Sequence, residues 1–224
     1  DPVVRSAEKQ KQFITDASHE LKTPITVIST CLRVLEMETG KQKWIDKAQA
    51  QTEKLTALVN ALVTLSRMDE GVSPLKMELF PLSEAVADTA ESFRDLAQSK
   101  GHELVLDIAP EMTYRGDEYA IRQLVSILLD NAVKYARAGS TITLTLEKTR
   151  RGAVLHCRNG SDPLPEETLA KLFDRFYRAD PSRNAATGGF GIGLSIARGI
   201  AEAHKGSICA RMVGEEVEFA AELR

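Results

Sequence analysis

An apolar stripe runs through the first seventy residues and limits what they can become. Ile14, Ala17, Leu21, Ile25, Ile28, Leu32 and Leu35 recur at spacings of three and four, the period of one helical face. The pattern stops near Thr39-Gly40, where glycine suits a helix C-terminus. A second stripe follows in Ile45, Ala48, Leu55, Val59 and Leu62, widened by Leu58 and Leu65. So broad a stripe needs more than one neighbour, and a lone hairpin cannot bury it. The expectation for residues 1–70 is a helical hairpin that pairs with a second copy into a dimeric four-helix bundle.

Glu70-Gly-Val-Ser-Pro74 reads as a linker, and the texture then changes to alternating strands and helices. Strands are predicted over 76–80, 103–108, 141–147, 152–157, 207–213 and 216–222, and helices over 82–99, 117–137, 165–172 and 192–204. That order implies a sheet covered by helices, an α/β sandwich spanning residues 71–224, within an α+β multidomain chain. Residues 178–189 have no apolar period and read as a loop.

With 224 residues, 43% of them hydrophobic, the chain can bury a sizeable core. A net charge of −3 without a basic patch argues against nucleic acid as a partner. Cys31, Cys157 and Cys209 lie far apart, without metal or redox spacing, and read as reduced thiols. No apolar stretch approaches the ~18–20 residues that span a bilayer, and no signal peptide is visible. The abrupt start at Asp1-Pro2 suggests a fragment of a longer protein.

His19 carries the most chemistry in the helical part. Successive helix residues turn by about 100°, so His19 sits roughly opposite the stripe through Ala17 and Leu21 and points outward. An imidazole with a pKa of about 6.5 is mostly neutral near pH 7 and can attack phosphorus through one ring nitrogen. Glu20, next in the chain, can orient the ring and accept its proton. Thr23 lies one turn on, and Pro24 loosens the helix there. Taken alone, His19 reads as a solvated surface histidine, and it is Glu20 and Thr23 beside it that reverse that reading. His102, His156 and His204 have no ligand-like partners and read as structural.

A second constellation lies in the later part. Gly189-Phe-Gly191-Ile-Gly193-Leu194 opens an apolar helix, a place where backbone N–H groups approach phosphate closely. It is neither a Walker loop nor a dinucleotide turn, and alone it reads equally as a tight turn. On the helix before it, Asn131 offers oxygen to Mg²⁺, Lys134 a point charge for phosphate and Tyr135 an aromatic face for a base.

Phe13-Ile-Thr-Asp-Ala-Ser-His19-Glu20-Leu-Lys-Thr23-Pro24, Asp130–Tyr135, Phe173-Asp-Arg-Phe-Tyr-Arg178 and Gly189–Leu194 together resemble the catalytic core of sensor histidine kinases. The resemblance covers nearly all of the chain. It implies that His19 takes the γ-phosphoryl group of ATP, with Mg²⁺, and passes it to an aspartate of a response regulator. It implies a phosphatase role for Thr23, which would place water against the regulator's phosphoaspartate. It further implies a histidine kinase/gyrase/Hsp90-type ATP domain with a lid at roughly 178–190, Arg178 near the phosphates, and a homodimer that docks a receiver domain. The cytoplasmic portion of a membrane-anchored bacterial protein is the expected setting.

Two positions depart from that family's pattern. Asn159-Gly160-Ser161-Asp162-Pro163 stands where Asp-x-Gly-x-Gly is usual, and Ile127 stands where many members have another asparagine. Asn159 keeps an acceptor for the adenine amino group but loses the charge. A charged bond exceeds a neutral one by about 1–2 kcal/mol, which implies ATP affinity about five- to thirty-fold poorer. Three readings therefore stand side by side: a histidine autokinase, a dimerising scaffold with a degenerate ATP site, and an ATPase or chaperone of the same nucleotide fold.

Overall fold

The computed structural model describes residues 21, 25–40, 42–70, 76–179 and 191–224. Ile14, Ala17, His19, Glu20, Thr23, Pro24, Gly189, the linker after Glu70 and most of the expected lid lie outside the described residues. The chain divides into two compact units, Asp1–Pro74 and Leu75–Arg224. Among the described residues no helix is long and apolar enough to cross a membrane.

In the first unit, helix α1 covers 25–39 and helix α2 covers Lys43–Glu70. Gly40 ends α1 as its position in the sequence suggests: its φ is 75°, and its N–H donates to the Glu36 carbonyl at 2.8 Å. Ile25, Ile45 and Val59 are buried. Leu21, Ile28, Leu35 and Leu55, on the same predicted stripes, remain exposed in the single chain. Trp44 is exposed at the start of α2, with Lys47 Nζ 4.9 Å above its ring.

The second unit is the α/β sandwich. Its strands are β1 (Glu78–Pro81), β2 (Glu103–Ile108), β3 (Thr113–Gly116), β4 (Thr141–Thr149), β5 (Gly152–Gly160), β6 (Ser207–Val213) and β7 (Glu216–Leu223). Its helices are α3 (Leu82–Glu91), α4 (Arg94–Ser99), α5 (Glu118–Tyr135), α6 (Glu166–Lys171) and α7 (Gly193–Ala203). Five strands form one sheet in the order β2-β4-β5-β7-β6, with β2 and β4 parallel and the other pairs antiparallel.

Period-two alternation sets the two faces of this sheet. Ile142, Leu144 and Leu146 of β4, Leu155 and Cys157 of β5, and Phe219, Ala221 and Leu223 of β7 are buried on one face. Leu124, Leu128 and Leu129 of α5 and Ile196, Ala197 and Ile200 of α7 complete that core. The opposite face carries polar side chains, including one buried charge, Glu218. Its carboxylate takes a bond from Arg158 and a 2.6 Å bond from Arg211 Nε. Burial alone would push this carboxyl up, but the two guanidinium bonds outweigh it and hold the pKa below the usual carboxylate range.

Two expectations are corrected here. The helix expected over 82–99 is two helices, because Ser92 Oγ bonds back to the Thr89 carbonyl (2.7 Å) and Phe93 N–H reaches Ala90 (3.0 Å) rather than a residue four back. Strand β3 was not expected at all. It pairs with β1 in a separate two-stranded sheet, and four residues are too few for a periodic signal.

Candidate functional site

The ends of α5 and β5, the start of α7 and the Leu172–Ala179 region surround a cleft of about 480 Å³. That volume is within the range for small-molecule sites. Asn131, Lys134, Tyr135, Asn159, Arg178, Gly191, Gly193 and Leu194 all line it, so the structure gathers every sequence-predicted cofactor residue among the described ones.

Helix α5 forms one wall. Its N-terminus is capped by Asp117, whose Oδ1 accepts from Ala120 N–H at 3.0 Å. Its buried face fixes the rotation that turns Asp130, Asn131, Lys134 and Tyr135 toward the cleft. Asn131 is half-buried. Lys134 Nζ lies 2.5 Å from Asp130 Oδ2, an i,i+4 pair at the cleft's edge. Ile127 also lines the cleft, so the second departure from the family pattern puts a hydrocarbon where an amide is usual.

The start of α7 forms the facing wall. Gly191 has φ 71°, and a Cβ there would stand 2.7 Å from the Tyr177 carbonyl oxygen and 2.8 Å from Phe176 C. Only glycine fits so close an approach. The two segments are joined by Phe176 N–H donating to the Gly191 carbonyl at 2.8 Å. Helix α7 then begins at Gly193, and its first amides are without intrahelical partners and suit an anion.

Asn159 forms part of the floor. It is 1% exposed; its Nδ2 donates to the Gly160 carbonyl at 3.1 Å, while Oδ1 accepts no bond among the described residues. Arg137 braces the neighbouring rim: its guanidinium donates to the Ser161 carbonyl (2.9 Å) and to Glu215 Oε2 (2.9 Å) and carbonyl (3.1 Å).

Arg137, Val217 and Phe219 line the cleft without having been singled out by sequence. Inward alternation along β7 could have placed the last two in the core, but only the β5–β7 pairing brings them beside Asn159. The three remaining histidines are packing residues. His102 Nδ1 lies 3.2 Å from the Ser140 carbonyl, His156 lies beside Glu218, and His204 is buried with both ring nitrogens bonded. Among the described residues no group of three or more His, Cys, Asp or Glu is arranged to hold a metal.

Comparison with known proteins fits this geometry. Residues 9–71 match the His Kinase A (phospho-acceptor) domain, and residues 116–224 match the Histidine kinase-, DNA gyrase B-, and HSP90-like ATPase family. The sensor protein DltS of Streptococcus agalactiae is 35% identical over 222 residues, covering 99% of this chain and 56% of the relative. The sensor histidine kinase YkoH of Bacillus subtilis is 37% identical over 207 residues, covering 88% and 43%. The chain thus spans about half the length of the curated relatives it matches. Two solved structures share the fold. Full-length ShkA in complex with AMPPNP has a TM-score of 0.76 at 22% identity, covering 95% of this chain and 46% of that one. The Acinetobacter baumannii histidine kinase AdeS has a TM-score of 0.68 at 24% identity, covering 92% and 96%. With a phospho-acceptor match followed by an ATPase-domain match in one continuous chain, this protein belongs to the two-component sensor histidine kinases, of which it carries the catalytic core.

Proposed function

We propose that the chain is an ATP-dependent autokinase that phosphorylates His19, passes the phosphoryl group to an aspartate of a response regulator and assists dephosphorylation of that regulator through Thr23. The observation that carries this reading is the cleft, where Asn131, Lys134 and Tyr135 face the glycine turn across a floor holding a buried, unsatisfied acceptor. That acceptor suits the adenine amino group, Tyr135 offers a face to the base, and Lys134, Arg178 and the α7 N-terminus suit phosphate. Asn131 would hold, through its side-chain oxygen, a Mg²⁺ brought in with the nucleotide, whose positive charge would offset that of the phosphates. Bound ATP supplies the phosphoryl group. The chain's part is to position it and to present the His19 imidazole, with Glu20 taking the proton, since phosphoryl transfer depends chiefly on positioning and charge stabilisation.

The domain reading goes with this: residues 1–70 serve dimerisation and phosphotransfer, and 71–224 bind ATP. The division at Pro74/Leu75 supports it. Exposed Leu21, Ile28, Leu35 and Leu55 on the hairpin's apolar stripes support a homodimer, because a second hairpin would cover them. A receiver domain docking beside His19, in the cytoplasm of a bacterial cell and beneath a membrane anchor carried elsewhere, completes the reading.

Incubation with γ-labelled ATP and Mg²⁺ tests it. An autokinase yields acid-labile, base-stable label that His19→Gln abolishes. Release of phosphate without labelling indicates a plain ATPase, and neither product indicates a scaffold; both results defeat the proposal.

A further inference from the structure

Arg137 stands just beyond the end of α5, and its contacts tie that end to two other segments. Its N–H donates to the Gly160 carbonyl, at the end of β5, at 2.8 Å. Its Nη2 donates to the Ser161 carbonyl at 2.9 Å and to the Glu215 carbonyl at 3.1 Å, and its Nη1 donates to Glu215 Oε2 at 2.9 Å. Ser161 N–H also donates to the Glu215 carbonyl, at 3.0 Å. The guanidinium therefore closes a ring of bonds between the segment after β5 and the turn between β6 and β7. Ala136, Ser161 and Asp162, next to these anchor points, line the cleft, whereas Glu215 does not line it and its side chain is 85% exposed. An ion pair so open to water adds little to the stability of the fold. Its effect is on the rim.

We propose that Arg137 is a positioning residue for the nucleotide: it fixes Ser161 and Asp162 before ATP arrives, and Glu215, outside the cleft, acts on the nucleotide only through it. The proposal rests on the nucleotide reading above. With the brace gone, the rim must be ordered as ATP binds, and that cost is subtracted from the affinity. The brace needs the fork of the guanidinium, which meets two carbonyls and a carboxylate at once. A lysine at 137 would bring a point charge on a flexible stem and could not join them.

The test is displacement of a fluorescent ATP analogue by ATP from the whole chain, with a urea unfolding midpoint for every variant. Arg137→Ala should bind ATP about five- to ten-fold more weakly, and Arg137→Lys should remain nearly as weak. Glu215→Ala, which removes one bond of the brace, should lose about two- to three-fold. Arg137→Ala combined with Glu215→Ala should bind no more weakly than Arg137→Ala alone, because Glu215 acts through the guanidinium. A purely structural arginine would lower the midpoint and leave the affinity of the folded chain as it was. Unchanged affinity in Arg137→Ala, full recovery by Arg137→Lys, or losses that simply add in the double variant overturn the brace and leave the nucleotide site standing. If the analogue does not bind the unaltered chain at all, the brace and the nucleotide reading fall together. Should Arg137→Ala fail to fold, Glu215→Ala decides alone, and an unchanged affinity there overturns the proposal.

Discussion

The Asp117 N–H donates to His204 Nε2 across 3.0 Å, joining the cap of α5 to the end of α7. The other ring nitrogen lies 2.8 Å from the Ile200 carbonyl, so the neutral ring carries its proton on Nδ1. Tyr114 and Gly116 leave the imidazole no slack: a Cβ at Gly116 would stand 2.9 Å from it. The two helices that wall the cleft are thus tied at the ends remote from Tyr135 and Gly193.

His204→Ala therefore removes two buried bonds and leaves a hole, at a cost of about 2–4 kcal/mol. A urea titration followed by circular dichroism should show a correspondingly lower midpoint. A midpoint equal to that of the unaltered chain would mean that the ring is dispensable.

If Lys134 meets a nucleotide phosphate as proposed, Asp130 competes with that phosphate for it. The pair is half-exposed and worth only about 0.3–0.5 kcal/mol to the helix, so breaking it should leave the fold intact. Asp130→Asn removes a negative charge from the cleft and frees Lys134 Nζ. ATP affinity measured by calorimetry should rise a few-fold at low salt, with a smaller gain at high salt. Lys134→Ala should lower it.

The two described glycines of the turn should respond differently to alanine. At Gly191 the backbone is left-handed and the new methyl would strike the Tyr177 carbonyl oxygen, whereas at Gly193 it would meet Ile127 Cγ2 at an ordinary 3.5 Å. Gly191→Ala should reduce nucleotide affinity at least about ten-fold, since even 1.4 kcal/mol of strain has that effect. Gly193→Ala should stay within a few-fold. Equal losses at both positions would argue that space around the turn is not what decides.

Cys157 gives a dependence on alkaline pH. Its thiol is fully buried, and burial pushes its pKa from an ordinary 9.0 up to about 12. The folded chain then keeps a proton that the unfolded chain gives up, so its stabilising effect is complete below pH 9 and is lost as the pH rises toward 12. The slope for one such group is at most about 1.4 kcal/mol per pH unit. The unfolding free-energy difference between the unaltered chain and Cys157→Ala should be flat below that window and shrink within it. A difference that stays constant to pH 10.5, about midway through the window, would contradict the assignment.

Periodic features could be read from the sequence, and features made by neighbours could not. Strands 103–108 and 207–213 match expectation end to end, because alternation over six or seven residues is a strong signal. The break at Ser92 was hidden because its cause is one hydroxyl bonded to a carbonyl three residues back. Asn131, Lys134 and Tyr135 were legible as one turn of a polar helix face, and Gly191 as part of a glycine run. Arg137 was not, since its partners Ser161 and Glu215 are distant in sequence and meet it only through sheet pairing. The orientation of the Asn159 amide depends on a bond to the next residue's carbonyl, which no spacing rule reveals.

Strand β5 pairs residue for residue with β4 on one side and β7 on the other, from Ala153 to Asn159. Slipping it by a single step would exchange the two faces, carrying Arg158 into the hydrocarbon interior and Asn159 out to water. The acceptor in the cleft floor is therefore fixed by the same rungs that hold the sheet together. Substitutions in the loops around the rim can reshape the opening of the cleft, but they leave that oxygen where it is.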